Sequence, residues 1–322
     1  MSNRLASAAF RPLSPARHGV ETRSDSRRKK AGRRRVATGW WFALPGIAVY
    51  LFVMIVPALR GLYYSLTSWN GLSSGSKLIG IGNFTELLKD PEVLGAIRQT
   101  LLLTAAIAIG LTITGLVLAL ALHATLKTRN ILRVAFFAPV VVAPVMVAFL
   151  WQYILAPFGA LNSLLSALGL SRLELPWLGS DSLALWSVAA VIIWQFSGYA
   201  MVILLAGLEA IPKEINEAAT VDGASRLQRL LHVTLPMLRP ALMLTVTLAL
   251  IMGLRQFETV WVLTQGGPGN STQTMATVMY TDAFTLNNYG YATAQAVVLT
   301  LIVIVASGAL NALGARRRSP KP

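Results

Sequence analysis

EAIPKEINEAATVDGASRLQRLLHVTLPMLR, residues Glu209 to Arg239, separates the fourth and fifth long apolar runs of a 322-residue chain. Pro212 suits a first helical position because the N–H it lacks would be unpaired there, and Glu214 and Glu217 follow in the early turns, where negative charge favours the helix dipole. A short helix is expected from Pro212 to Val221. Asp222-Gly223 stops it, since glycine enters the left-handed conformation without a Cβ penalty. Ser225 and Gln228, three residues apart, form a capping box that opens a second short helix, with Leu227, Leu230, Leu231 and Val233 along one side and Pro236 closing it. Two short helices at an angle make a knob between apolar runs.

The runs on either side decide the class. The chain is 55% hydrophobic and 13% charged, with a mean hydropathy of +0.60, which places it among integral membrane proteins. Six stretches are long enough to cross ~30 Å of hydrocarbon as helices: Trp40–Leu66, Leu101–Leu122, Val134–Ala156, Leu183–Leu208, Ala241–Thr264 and Ala292–Leu313. Pro45, Pro57, Pro139 and Pro144 lie within the first and third, and Gly110 and Gly115 in the second permit close helix approach. The expected fold is all-α, a polytopic membrane protein with six transmembrane helices.

The net charge of +15 is topological and does not point to nucleic acid. Residues 1–38 hold eleven Lys and Arg against Glu21 and Asp25, too few apolar groups to offset ordering entropy, so a disordered basic tail is expected there. Lys127, Arg129 and Arg133, then Lys213, Arg226, Arg229 and Arg239, then Arg316, Arg317, Arg318 and Lys321 fall at alternate loops and at the C-terminus. The other loops carry Lys77, Lys89 and Arg98, then Arg172, then none. By the positive-inside rule both termini and Glu209–Arg239 face the cytoplasm. The tail is expected to orient the first span, the alternative being contact of its basic cluster with anionic membrane lipids. The organisation expected is a tail at 1–38, a transmembrane domain at 39–315 and a basic tail at 316–322.

Glu217-Ala218-Ala219, three residues, Gly223, nine residues, then Val233-Thr234-Leu235-Pro236 resembles the cytoplasmic signature loop of the membrane subunits of ATP-binding-cassette importers. That family usually has Ile where Val233 stands. Pro157–Ser182 and Thr264–Gly290 resemble the sugar-transporting branch, above all Thr264-Gln265-Gly266-Gly267-Pro268-Gly269-Asn270, followed by Thr272 and by Tyr280 to Phe284. The resemblance covers about residues 40–314. It implies that Glu217, Ala218, Ala219, Asp222, Gly223, Leu235 and Pro236 couple the chain to two ATP-binding cassette ATPase subunits. It also implies a second, similar permease subunit in a heterodimer, an extracytoplasmic solute-binding protein, a sugar substrate and a bacterial cell membrane.

The Gly-Gly-Pro-Gly run must end the fifth span in a tight turn, and Met275 to Phe284 is expected to form a short helix dipping back toward the membrane. Arg255 and Glu258 are opposite charges inside that span, and ionisable groups at such depth mark a functional site by default, the alternative being a packing ion pair. On one continuous helix Arg255, Glu258 and Val262 would share a side, with Phe257 and Trp261 on the next. Hydrogen-bonding groups beside aromatic rings suit a sugar, so Arg255, Phe257, Glu258 and Trp261 are the expected solute path.

Absent motifs narrow the function. No GxxxxGK[ST] phosphate loop occurs, so the chain is expected to be no enzyme, to bind no cofactor and to leave ATP to partner subunits. There is no cysteine, and His123 and His232 have no second ligand nearby, so no metal is expected. A carrier or channel for a small polar solute, acting alone, is the rival function. It would have to draw its driving force from Arg255 and Glu258.

Overall fold

A computed structural model describes residues 43–72, 75–123 and 127–316; the expected tail at 1–38 and most of that at 316–322 lie outside them. The chain divides into two units, Met1–Arg60 and Gly61–Pro322. Apart from one antiparallel bridge between Thr67 and Leu78, the described residues contain no strand.

The helices are α1 (Ala43–Tyr64), α2 (Gly82–Leu87), α3 (Pro91–His123), α4 (Arg129–Val141), α5 (Pro144–Ile154), α6 (Ala160–Ala167), α7 (Ala184–Glu209) and α8 (Lys213–Val221). They continue with α9 (Arg226–Leu254), α10 (Glu258–Thr264), α11 (Met275–Tyr280) and α12 (Tyr289–Arg316). Among the described residues five helices are long and apolar enough to cross a membrane, or six if α4 and α5 form one bent span.

Helix α7 is the centre of the second unit. In the most apolar window of each span 61% of its residues are buried, against 28% in α3 and α9 and 11% in α12. Lipid tails are as apolar as leucine, so close packing must hold the helices together, and small residues provide it. A Cβ on Gly115 would stand 2.6 Å from the Ala200 Cβ, and one on Gly110 would stand 2.2 Å from Ile193. Both glycines therefore seat α3 against α7, as their sequence pattern suggested. Gly198 is tighter still: its Cβ would lie 2.1 Å from the Phe136 carbonyl oxygen of α4.

Several helix limits differ from those expected. Helix α3 begins ten residues before Leu101, because Asp90 caps it: its carboxylate accepts the Glu92 N–H at 2.9 Å, with Pro91 in the first turn. Pro236 does not close a short helix. It stands inside the 29-residue α9, immediately after a π turn, Leu230–Thr234, in which the Leu235 N–H reaches the Leu230 carbonyl. The widened turn accommodates a ring that would crowd an α-helical carbonyl four residues back. The same device precedes Pro57, where the π turn Leu51–Ile55 sends the Val56 N–H to Leu51.

Polar groups tie the start of α3, the segments flanking α11, and α12. The Tyr291 hydroxyl donates to Asp90 at 2.8 Å, Gln273 to Glu92 at 2.7 Å and Gln295 to Asp282 at 2.6 Å. Burial pushes the Asp282 carboxyl above its usual range, and the Gln295 amide partly holds it back. Asn83, in α2, is buried and donates to the carbonyls of Ser65 and Thr67 at 2.8 and 2.9 Å.

Candidate functional site

Two regions hold the residues singled out in the sequence. The first is the knob after α7. Helix α8 starts one residue later than expected, with Pro212 as its cap rather than its first residue. Gly223 ends it at φ +77°, the Ala224 N–H closing back on the Ala219 carbonyl at 3.0 Å. The capping box is formed: Gln228 N–H donates to Ser225 Oγ at 3.3 Å, and the Ser225 N–H to Gln228 Oε1 at 2.8 Å. Arg229 of α9 donates to Thr220 at 2.5 Å and locks the two helices together.

The knob turns apolar groups outward. Val221 is 88% and Leu227 64% exposed, and Ile215 is also exposed. Glu217, Ala218, Asp222 and Gly223 are exposed, Ala219 is half-buried, Leu235 is half-buried and Pro236 exposed. At the base of the knob Glu209 receives Arg133 at 2.6 Å, and Arg129 as well, so the loop before α4 and the loop after α7 lie at the same end of the bundle.

The second region lies where two spans break. The stretch expected as one span, Val134–Ala156, is two helices bent 97° between Val141 and Pro144. Val142 and Ala143 are extended there (ψ 136° and 133°), the conformation that a residue before proline favours. The break frees the Val142 carbonyl, and the fully buried Gln195 of α7 donates to it at 3.0 Å. Irregular backbone at membrane depth is tolerated where such a partner exists or a cavity is lined.

The stretch expected as Ala241–Thr264 is also interrupted. Helix α9 ends at Leu254, Arg255 is its C-cap, and α10 starts anew at Glu258 behind Phe257 (φ −126°, ψ −59°). The Gln256 side chain, buried in the gap, donates to Thr259 Oγ1 at 2.8 Å, and the Gln256 carbonyl accepts from Thr274 at 3.2 Å. Gln152 of α5 donates to the Val262 carbonyl at 3.1 Å. The Gly-Gly-Pro-Gly run therefore ends α10 rather than a long span, through positive φ at Gln265, Gly266, Gly269 and Asn270.

This break overturns the shared helical side expected for Arg255, Glu258 and Val262. Arg255 and Glu258 stand on separate helices, and neither has an ion-pair partner among the described residues. Val262 packs instead against the core cluster around Val260 and Leu263. The two charges do share a space. A cavity of ≈ 490 Å³ lies between the broken spans and α7, and Arg255, Gln256, Phe257, Glu258, Phe196 and Tyr199 contribute to its wall. Phe257 is thus placed as expected, whereas Trp261 lies one ring back, stacked on Phe257 at 5.7 Å and outside that wall.

Four residues of this region went unread in the sequence: Gln195, Phe196, Tyr199 and Gln256. A lone amide in the apolar run of α7 was the available signal for Gln195, and Ala143-Pro144 was the signal for the break. Nothing local marks Phe196 or Tyr199, which reach the cavity only because α4 and α5 bend away.

A bundle of apolar helices, broken in two spans around a polar and aromatic cavity, and carrying a helical knob at one end, defines a multi-pass membrane permease. Residues 112–319 match the family described as binding-protein-dependent transport system inner membrane component, and the chain belongs to it. It is 35% identical over 269 residues to the multiple sugar-binding transport system permease protein MsmF of Streptococcus mutans, covering 84% of this chain and 92% of that one. To the trehalose/maltose transport system permease protein MalF of Thermococcus litoralis it is 30% identical, over 84% and 91%. The crystal structure of a bacterial transporter for import of the acidic polysaccharide alginate contains a chain of the same fold: TM-score 0.79, 23% identity, 91% of this chain and all of that one. The chain is a transport protein and not an enzyme, and membership implies a solute-binding protein and ATPase subunits as partners.

Proposed function

We propose that this chain is a permease subunit of an ATP-driven importer in a bacterial cell membrane. It passes a sugar, delivered by an extracytoplasmic binding protein, through the cavity at the two broken spans. The observation that carries the path is the meeting of both breaks at one cavity, where Arg255, Gln256 and Glu258 can bond hydroxyls beside the rings of Phe196, Tyr199 and Phe257. Mixed linings of this kind, at roughly 300–1,000 Å³, are typical of small-ligand sites. The names of the relatives, which mention several sugars, support the substrate class.

The knob is the contact with the ATPase subunits. Among the described residues nothing covers its exposed Val221, Leu227 and Ile215, and its self-capped helices make it stiff enough to transmit motion. Glu217 offers a charge to a basic group on the ATPase, and Ala218, Ala219, Asp222 and Gly223 complete that face. Leu235 and Pro236 lie within α9 just past its π turn, which packs beside α8, and α9 runs on to end at the cavity. ATP closure moves the knob, α9 follows, and the wall at Arg255 shifts. The shared end of the Arg129, Arg133 and Glu209 cluster supports a cytoplasmic position for the knob and, with six spans, for both termini. ATP is used by the partner subunits, and this chain binds no cofactor of its own. A second, similar permease subunit completes the path as a heterodimer.

Glu217→Ala tests the coupling. Leaving a docking charge unpaired costs roughly 2–5 kcal/mol, so ATP-driven uptake in proteoliposomes carrying the whole complex is expected to fall to background while the permease still inserts. Wild-type uptake by the variant removes the docking role.

A further inference from the structure

A row of aromatic rings leaves the cavity through its Phe257 wall. Trp261 stacks on Phe257, and both lie within 5.2 Å of the Tyr280 ring centroid. Tyr280 touches Phe284 at 5.0 Å, Phe284 touches Tyr289 at 5.8 Å and Tyr289 touches Trp69 at 5.6 Å. Trp69 in turn stacks on Tyr64 at 4.2 Å, where α1 ends. The row thus runs from the break between α9 and α10, along α11 and its π-helical extension Thr281–Thr285, to the end of the unit where α1 finishes and α12 starts. The row is open along one side: Phe284 is 62% exposed, and Phe257, Tyr280 and Tyr289 are only half-buried.

The exposed side of the row is a second cavity of ≈ 490 Å³. Phe257, Tyr280, Phe284 and Tyr289 form one wall, and the small side chains Ala292, Thr293 and Ala296 of α12 leave the room opposite. Arg255 and Phe257 line this cavity and the cavity at the span breaks alike, so the two adjoin at that pair. Ring faces carry negative charge at their centres and so attract the weakly positive C–H face of a pyranose. The hydroxyls on the sugar edge are left to groups such as Arg255 and Thr293. A single sugar ring needs one such platform. Successive platforms suit a chain.

We propose that this row and its cavity form an outer saccharide-stacking track, continuous at Arg255 and Phe257 with the cavity at the breaks, so that the transported solute is a chain of two or more sugar rings held by both. The inference rests on the sugar path proposed above. The test is uptake by the whole complex with its cognate binding protein in proteoliposomes, using malto-, cello- and chito-oligosaccharide series of one to five rings. The binding protein is the same for wild type and variants, so any change in length dependence belongs to the permease. Wild type is expected to take up chains of at least two rings in one series. Phe284→Ala and Tyr280→Leu should raise KM for the longest transported chain roughly three- to tenfold, the scale of one aromatic contact, and leave the shortest within about twofold. Tyr280→Phe, which keeps the ring, should restore the long-chain KM.

Three results would overturn the track. They are uptake of no chain longer than one ring by wild type, an equal loss at every length in complexes that assemble normally, and no change in either variant. Phe196→Ala, in the cavity at the breaks but not on the row, separates this from the reading beneath it. Uptake lost at every length is what that reading requires. Unchanged uptake there, with the length effect at Phe284 intact, would keep the stacking row but overturn its continuation into the inner cavity.

Discussion

The knob at Glu209–Arg239 and the cavity wall at Val142 and Arg255–Glu258 are both interruptions between apolar helices, yet they are held by opposite means. Between Lys213 and Arg229 the contacts that fix the knob are local: Ser225 with Gln228, Ala224 with Ala219, Arg229 with Thr220, and long-range ion pairs from Arg129 and Arg133 enter only at its base, Glu209. At the breaks the partners come from far along the chain: Gln195 to Val142, Gln152 to Val262 and Thr274 to Gln256. The first region can keep its own shape while it moves and passes that motion into the bundle through the continuous α9, which suits a transmitter of force. The second changes shape only if the helices around it shift, which suits a gate for a solute.

That contrast is sharpest at glycine. Gly198→Val would drive a branched side chain into the Phe136 backbone, and neither side can yield, so no folded complex is expected from a purification that recovers wild type. A recovered, active variant would contradict the packing of α4 on α7. Gln195→Leu should have a smaller effect. It leaves the Val142 carbonyl unpaired at a cost of about 1–3 kcal/mol, which should appear as a lower thermal midpoint of the purified complex. An unchanged midpoint would mean that the bend at Val142 does not depend on Gln195. Least costly is Ser225→Ala in the knob. Losing a helix cap costs typically ~1 kcal/mol, and because that contact is local the loss should fray α9 near Arg226, seen as faster amide exchange there, with the global midpoint unchanged. A fall in the global midpoint would show that the knob is not independent of the bundle.

The same contrast explains what could be read in advance. The Ser225–Gln228 capping box, the Asp222-Gly223 stop and the Gly-Gly-Pro-Gly turn each act over two to four residues, so sequence spacing alone placed them. The Asp90 cap of α3 was equally local, but hydropathy set the limit at Leu101 because Pro91–Thr100 is mixed in polarity. The break at Arg255 carries no glycine-proline signal. It follows from tertiary fit: a Cβ on Gly253 would stand 2.8 Å from the Thr104 Cα, and Gln256 finds its partners in Thr259 and Thr274. Arg255 and Glu258 were therefore placed on a common helix side that does not exist, although both reach the cavity. Pro236 was read as a stop because a π turn is invisible in residue spacing.

The central claim is that the solute passes the cavity where the two spans break, and the absence of cysteine from the chain gives that claim a direct measurement. Phe196→Cys and Ile251→Cys each place one thiol on the cavity wall, and Ile304→Cys places one on the exposed side of α12. ATP-driven uptake of the transported sugar is measured before and after reaction with a small methanethiosulfonate reagent, with and without excess sugar and binding protein present during the reaction. Modification at Phe196 and Ile251 is expected to block uptake and to be slowed by the sugar, while modification at Ile304 has no effect. Full uptake through complexes modified at both wall positions would contradict the account.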